Sequence, residues 1–192
     1  MDSKQSDCFN RGITYLQEGN PDKAIKEFTE TIRAYREEAP AYSWRGYTYI
    51  QLNQYDQAVK DFSKAIELDP EDSDGLSYGC RGLAYRRLGQ NDQAIKDFSK
   101  AIELDPFIGS NYSMRGEIYF QLGKYDQCIK DKTEAIRLQP NTNNFTDYMI
   151  RGIAYGILKQ NDKAKSDLEK VISLNPDSVT LSDAKKMLST LM

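Results

Sequence analysis

Five arginines each stand 16 residues before an acid: Arg11 and Glu27, Arg45 and Asp61, Arg81 and Asp97, Arg115 and Asp131, Arg151 and Asp167. Guanidinium and carboxylate at one fixed spacing admit two chemistries. The pairs are internal ion pairs, or the arginines form a ladder that grips phosphate or acidic peptide groups through the bidentate fork. Thirteen tyrosines look like a second recognition set. Enzyme chemistry is poorly served. The chain has no histidine, so His-based triads and His zinc sites are absent. No glycine-rich loop ending in Gly-Lys-Ser/Thr occurs to cradle a phosphate. The carboxylates follow the arginine spacing rather than clustering on their own. The expectation is a non-enzyme without cofactor or metal.

The element that positions these residues is a repeat, and repeats decide the architecture. Arg-Gly marks five copies, at Gly12, Gly46, Gly82, Gly116 and Gly152, separated by 34, 36, 34 and 36 residues. Three residues after each glycine comes Tyr15, Tyr49, Tyr85, Tyr119 or Tyr155. Ten after comes Asp22, Asp56, Asp92, Asp126 or Asp162; twelve after comes Ala24, Ala58, Ala94, Cys128 or Ala164. Each copy reads as two helices. In the second helix Ala58, Val59, Phe62, Ala65 and Ile66 share one helical face. The Asp sits in its first turn, where the helix dipole favours negative charge. Pro70, Pro106, Pro140 and Pro176 follow four of these helices and are expected to stop them. A glycine inside a helix costs ~1 kcal/mol against alanine. Its recurrence implies that paired helices touch there, and that neighbouring pairs stack to bury what one pair cannot.

The second copy has Tyr42, Gly46, Tyr49, Ala58, Phe62, Ala65 and Pro70; the third has Tyr78, Gly82, Tyr85, Ala94, Phe98, Ala101 and Pro106. This pattern resembles the tetratricopeptide repeat family, from about Gln5 to Pro176. The resemblance implies an all-α, right-handed α-solenoid in which the first helix of each pair lines a concave groove that takes peptides. One domain is expected over 1–192, with repeats at about 5–38, 39–72, 75–108, 109–142 and 145–176 and a capping helix at 178–192. In the family's signature the Arg and acid slots are usually apolar and face each other between paired helices, which favours internal ion pairs. Nine tyrosines, including Tyr112 and Tyr148, fall in signature slots and read as structural. Tyr47 does not.

By the same resemblance the groove slots hold Phe9, Asn10, Ile13 and Gln17, then Ser43, Trp44, Tyr47 and Gln51. The third copy supplies Cys80, Leu83, Arg86 and Arg87, the fourth Ser113, Met114, Glu117 and Gln121, and the fifth Met149, Ile150, Ile153 and Ile157. No three consecutive copies carry the Lys and Asn set of a carboxylate clamp, so a chaperone tail is not expected. Trp44 and Tyr47 are anchor types that dominate binding energy. Arg86 and Arg87 suit an acidic side chain. The competing reading is that several of these residues pack against neighbouring first helices.

A net charge of −3 and a pI near 5.2 give no basic footprint for nucleic acid. No apolar run is long enough for a membrane span. Residues 1 to about 6 read as a frayed, polar start and not as a leader. Three cysteines, Cys8, Cys80 and Cys128, fall in different slots, so free thiols and a cytoplasmic location are expected; a removed leader would imply the periplasm or secretion. Arg36 takes the Pro slot of the first copy, and Glu37, Glu38 and Pro40 read as a linker. Turn-rich inserts, Glu71 to Gly75 and Asn141 to Asn144, produce the alternation of 34 and 36. Copies two and four share a local pattern at Gln51 to Gln57 and Gln121 to Gln127, which points to duplication of a two-repeat unit. Leu181, Ala184, Leu188 and Leu191 form a helical stripe behind a cap at Asp177 or Ser178. That helix covers the last pair or docks into another chain. The function expected is a scaffold binding a protein or peptide ligand in the groove. The alternative is a self-assembly module, at most a weak homo-oligomer.

Overall fold

The computed structural model describes residues 3–70, 75–140, 144–174 and 177–190. Among them are eleven α-helices and no strand. Unit 1, residues 1–105, holds three helix pairs: α1 (Ser3–Gln17) with α2 (Pro21–Ala34), α3 (Ala39–Gln51) with α4 (Tyr55–Leu68), and α5 (Leu76–Arg87) with α6 (Asn91–Leu104). Unit 2, residues 106–192, holds α7 (Gly109–Gln121) with α8 (Tyr125–Leu138), α9 (Phe145–Ile157) with α10 (Asn161–Ser173), and α11 (Ser178–Thr190). The start expected to fray is helical from Ser3, and Pro40 lies in the first turn of α3 rather than in a linker. Proline is tolerated there because that N–H has no intrahelical partner.

Within each pair the small slots make the contact. Ala24, Ala58, Ala94, Cys128 and Ala164 are fully buried. A Cβ at Gly46 would lie 3.0 Å from the Phe62 ring, and one at Gly12 would lie 2.5 Å from the Phe28 ring. The aromatic ring therefore occupies the volume that a side chain on the first helix would need.

Three of the second helices end two residues before a proline. Leu68, Leu104 and Leu138 close α4, α6 and α8. The residues between, Asp69, Asp105 and Gln139, have φ between −126° and −137° and ψ between 57° and 102°. Proline excludes its predecessor from the helical region, so the stop acts one residue upstream. Yet α2 ends at Ala34 with the same geometry at Tyr35 and no proline following. Pro176, Glu71 to Asp74, Asn141 to Asn143 and Leu191 lie outside the described residues.

The turn inside each pair carries one left-handed residue: Gly19, Asn53, Gly89, Gly123 and Lys159, with φ from 57° to 73°. Glycine or asparagine fits this conformation; a lysine there works against its own Cβ.

In unit 2, α11 lays Ala184, Met187 and Leu188 against Leu168 and Val171 of α10. Asp177 caps it: Oδ1 accepts from the backbone N–H of Val179 and of Thr180, each at 3.0 Å, and Oδ2 accepts from the Thr180 hydroxyl at 2.7 Å.

Candidate functional site

Every repeat arginine meets its acid. Arg45 Nε and Nη2 donate to the two oxygens of Asp61 at 2.7 Å each. Arg81 does the same with Asp97 at 2.7 and 2.8 Å, Arg115 with Asp131 at 2.8 Å twice, and Arg151 with Asp167 at 2.8 and 2.7 Å. These four arginine side chains are 14–17% exposed, and their acids 4–8%. Arg11 reaches Glu27 at 2.7 Å but is half exposed.

The third nitrogen reaches the preceding pair. Arg45 Nη1 donates to Thr29 of α2, Arg81 Nη1 to Ser63 of α4, and Arg151 Nη1 to Thr133 of α8, each at 3.0 Å. Tyrosine rings flank the same guanidinium. Arg81 lies 5.7 Å from the Tyr78 ring centroid and 5.8 Å from that of Tyr85; Arg151 lies 5.4 Å from Tyr148 and 6.0 Å from Tyr155. This sandwich was missed in the sequence, although tyrosines three before and four after an arginine share its helix face. Burial, the largest single influence, depresses the Arg81 pKa, but the hydrogen bond and charge of Asp97 outweigh it and raise the value. The Arg81 fork is thus taken up by a carboxylate, a hydroxyl and two rings.

In unit 1 the face of the first helices opens into a recess of about 230 Å³. Ser43, Trp44 and Tyr47 of α3, Leu76 and Cys80 of α5, and Phe62 of α4 line it. Trp44 is 40% exposed, Tyr47 42% and Leu76 56%. The indole and phenol rings meet edge to face at 6.0 Å, which fixes both. Leu76 was not among the sequence candidates, because it lies at the first position of α5, next to residues that read as an insert.

The other candidates divide. Phe9 is half-buried edge-on against Phe28 at 5.8 Å and belongs to the pair core. Met149 likewise packs on the Leu168–Val171–Ala184 cluster. Asn10, Gln51, Arg87 and Gln121 are exposed; Ile13, Leu83, Arg86, Met114 and Ile150 are half-buried. Ile153 and Ile157 line a second recess, of about 290 Å³, with Gly152, Gly156, Leu168, Met187 and Thr190.

Glu117 leads to a group that sequence reading passed over. Lys132 is fully buried on α8, 16 residues after Gly116, where the other copies hold Phe28, Phe62, Phe98 and Leu168. Its ammonium donates to Asp147 Oδ1 of α9 at 2.6 Å and to Ser113 Oγ of α7 at 3.1 Å. Glu117 Oε1 of α7 is 3.5 Å away. Ser113 Oγ donates in turn to Asp147 Oδ1 at 2.6 Å. The signal was visible: a lysine in an aromatic slot must find a counter-charge. Among the described residues no group of His, Cys, Asp or Glu is placed to hold a metal, and no helix is long and apolar enough to cross a membrane.

Comparison with known proteins follows the same divisions. Tetratricopeptide repeat profiles match residues 39–72 and 76–107, and residues 8–37, 110–142 and 148–178. No curated protein sequence matches significantly. Solved structures that share the fold include the MamA protein, at 21% identity and a TM-score of 0.81, covering 91% of this chain and 93% of that one. A MamA fragment from Desulfovibrio magneticus RS-1 aligns at 20% identity and a TM-score of 0.82, covering 93% and 99%. YrrB, described as a tetratricopeptide protein with an unusual peptide-binding site, aligns at 20% and 0.79, covering 93% and 90%.

Proposed function

Because the chain belongs to the tetratricopeptide repeat family, we propose that it is a non-catalytic interaction scaffold that holds a segment of a protein partner on its first-helix face. The observation that carries this is the Trp44–Tyr47–Leu76 recess. Three large side chains stay 40–56% exposed around an apolar hollow. Water gains nothing by wetting such a surface, and an apolar side chain entering it is favoured by ~25 cal/mol per Å² covered. Trp and Tyr already held by each other lose little entropy on binding. The likeness to YrrB agrees with a peptide-holding face at the level of fold. The spent arginine forks leave the ladder as scaffold rather than as a reader of acidic ligands. Three unbridged thiols suit a reducing compartment, the cytoplasm.

Acrylamide quenching of Trp44, the sole tryptophan, tests the premise. Ready quenching in the free chain, reduced by a peptide selected on the immobilised protein, supports the reading. A Trp44 that resists quenching, with no peptide enriched, overturns it.

Self-assembly through the groove or C-terminal helix is the second reading. Ile157 is 47% exposed beside the α9–α11 recess, and Val179 on α11 is 68% exposed. Light scattering decides: a monomer at every concentration rules it out.

A further inference from the structure

A second hollow of unit 1, of about 180 Å³, adjoins the Trp44–Tyr47 recess and shares Ser43, Trp44 and Leu76 with it. Ala39, Ser77 and Asp69 are among the residues that complete it. The Ser43 and Ser77 hydroxyls are bonded to each other at 3.0 Å, α3 to α5. Among the described residues that line the two hollows, Asp69 alone is charged.

The backbone holds Asp69 in place. Its N–H donates to Ala65 O at 2.9 Å, its φ is −137°, and Pro70 bars a return to the helix. The residue is exposed, and the bases of α3–α5 are engaged or lie elsewhere. Arg45, Lys64 and Arg81 hold Asp61, Glu67 and Asp97. Lys60 lies nine residues before Asp69, and Arg86 and Arg87 lie nine and ten after Ser77. That is roughly 14 Å along a helix. Unit 2 shows the alternative. Seventy residues on, Gly109 stands for Ala39 and Gln139 for Asp69. A Cβ on Gly109 would lie 3.0 Å from Gln139 Cγ and 3.1 Å from its Cδ, so that side chain lies against the start of α7. Ala39 carries the Cβ that closes this position, and Asp69 lines an open hollow instead.

We propose that the joined hollows take two side chains of one partner segment, a large apolar one on Trp44 and Tyr47 and a Lys or Arg on Asp69. The inference rests on the scaffold reading and names the segment that unit 1 selects. At about 230 and 180 Å³ each hollow is smaller than the ~300–1,000 Å³ of small-molecule sites and suits a single side chain. Trp44 borders both, so the apolar stem of a base lies on the indole while its charged end meets the carboxylate. An acidic side chain there is repelled by Asp69. In sequence Glu71, Asp72 and Asp74, outside the described residues, give the α4–α5 connection the same sign of charge.

The test selects random displayed peptides on the full chain, and then on Asp69→Asn and Asp69→Lys. Wild type should enrich a large apolar residue with a Lys or Arg at one fixed offset from it. Both variants should lose the preference for the base and keep that for the apolar residue, which also shows that the hollow is still folded. A selected peptide labelled with fluorescein should weaken about two- to fivefold on wild type when its base is replaced by Gln, as for an exposed ion pair. The loss should vanish on Asp69→Asn, and on wild type it should shrink at about 1 M salt. The change in the peptide needs no variant of the chain, so the test stands if a substitution disturbs the end of α4. Enrichment of apolar residues alone overturns this inference and leaves the scaffold reading standing. So does a preference for a base that Asp69→Asn retains, or enrichment of acidic residues at that offset. No enrichment of any kind overturns the scaffold reading and this inference with it.

Discussion

Arg81→Ala is expected to destabilise unit 1 far more than a surface charge change. Arg81 and Asp97 are 17% and 8% exposed and share two bonds of 2.7 and 2.8 Å. Removing the guanidinium strands a buried carboxylate and also frees the Ser63 hydroxyl and the faces of Tyr78 and Tyr85. Breaking a buried pair by deleting one partner costs roughly 3–5 kcal/mol. At about 2–4 °C per kcal/mol for a chain of this size, the melting temperature falls by about 6–20 °C. Thermal circular dichroism at 222 nm, about the usual wavelength for helix, measures it. Arg11→Ala is the internal control, because that side chain is half exposed and should leave the melt unchanged. Arg81→Met with Asp97→Leu should recover most of the loss, since no charge is then left buried. The reasoning fails if Arg81→Ala melts with wild type, or if the double variant melts no higher than the single.

Trp44→Ala should weaken a selected peptide by about 2 kcal/mol or more, roughly 30-fold by anisotropy, while the melt stays put because the ring is 40% exposed. Cys8 and Cys80 should react with a thiol reagent in the native protein and Cys128 only after unfolding, because burial pushes the Cys128 pKa up to about 11 and leaves little thiolate; three thiols titrating at one rate would count against its burial. Lys159→Gly should raise stability by about 1 kcal/mol in urea, because lysine at φ 58° works against its Cβ; a loss would mean the side chain contributes more than the strain. The Thr180 hydroxyl and the Thr180 and Val179 N–H groups hold the Asp177 pKa below its usual value. The cap is therefore complete above the ordinary carboxylate pKa of ~3.9 and is lost as pH falls through the lower folded value. Amide exchange at Val179 and Thr180 should speed up in that acid window, and Asp177→Ala should remove the dependence.

Sequence spacing determined the helix pairs, the small-residue contact and the arginine–acid partners. The physical reason is that residues at fixed helical intervals share a face, and a repeat writes that face five times. Tyr42, Arg45 and Tyr49 sit on one side of α3 whatever surrounds them. Spacing says much less about partners on the next pair. Thr29 reaching Arg45 and Ser63 reaching Arg81 depend on how pairs pack; the Ser or Thr that recurs two residues after each of the first four acids, at Thr29, Ser63, Ser99 and Thr133, marks a slot but not its partner. The groove candidates show the same limit: Phe9 and Trp44 come from first-helix slots alike, yet one ring is packed on Phe28 and the other stands open above Cys80. Lys132 is the sharpest case. Its slot marked it for burial, and its charge argued against burial. What decided the matter was Asp147 arriving from α9, 15 residues away, with Ser113 and Glu117 from α7. A buried charge is tolerated only where its partners converge in space, and that convergence belongs to the tertiary structure.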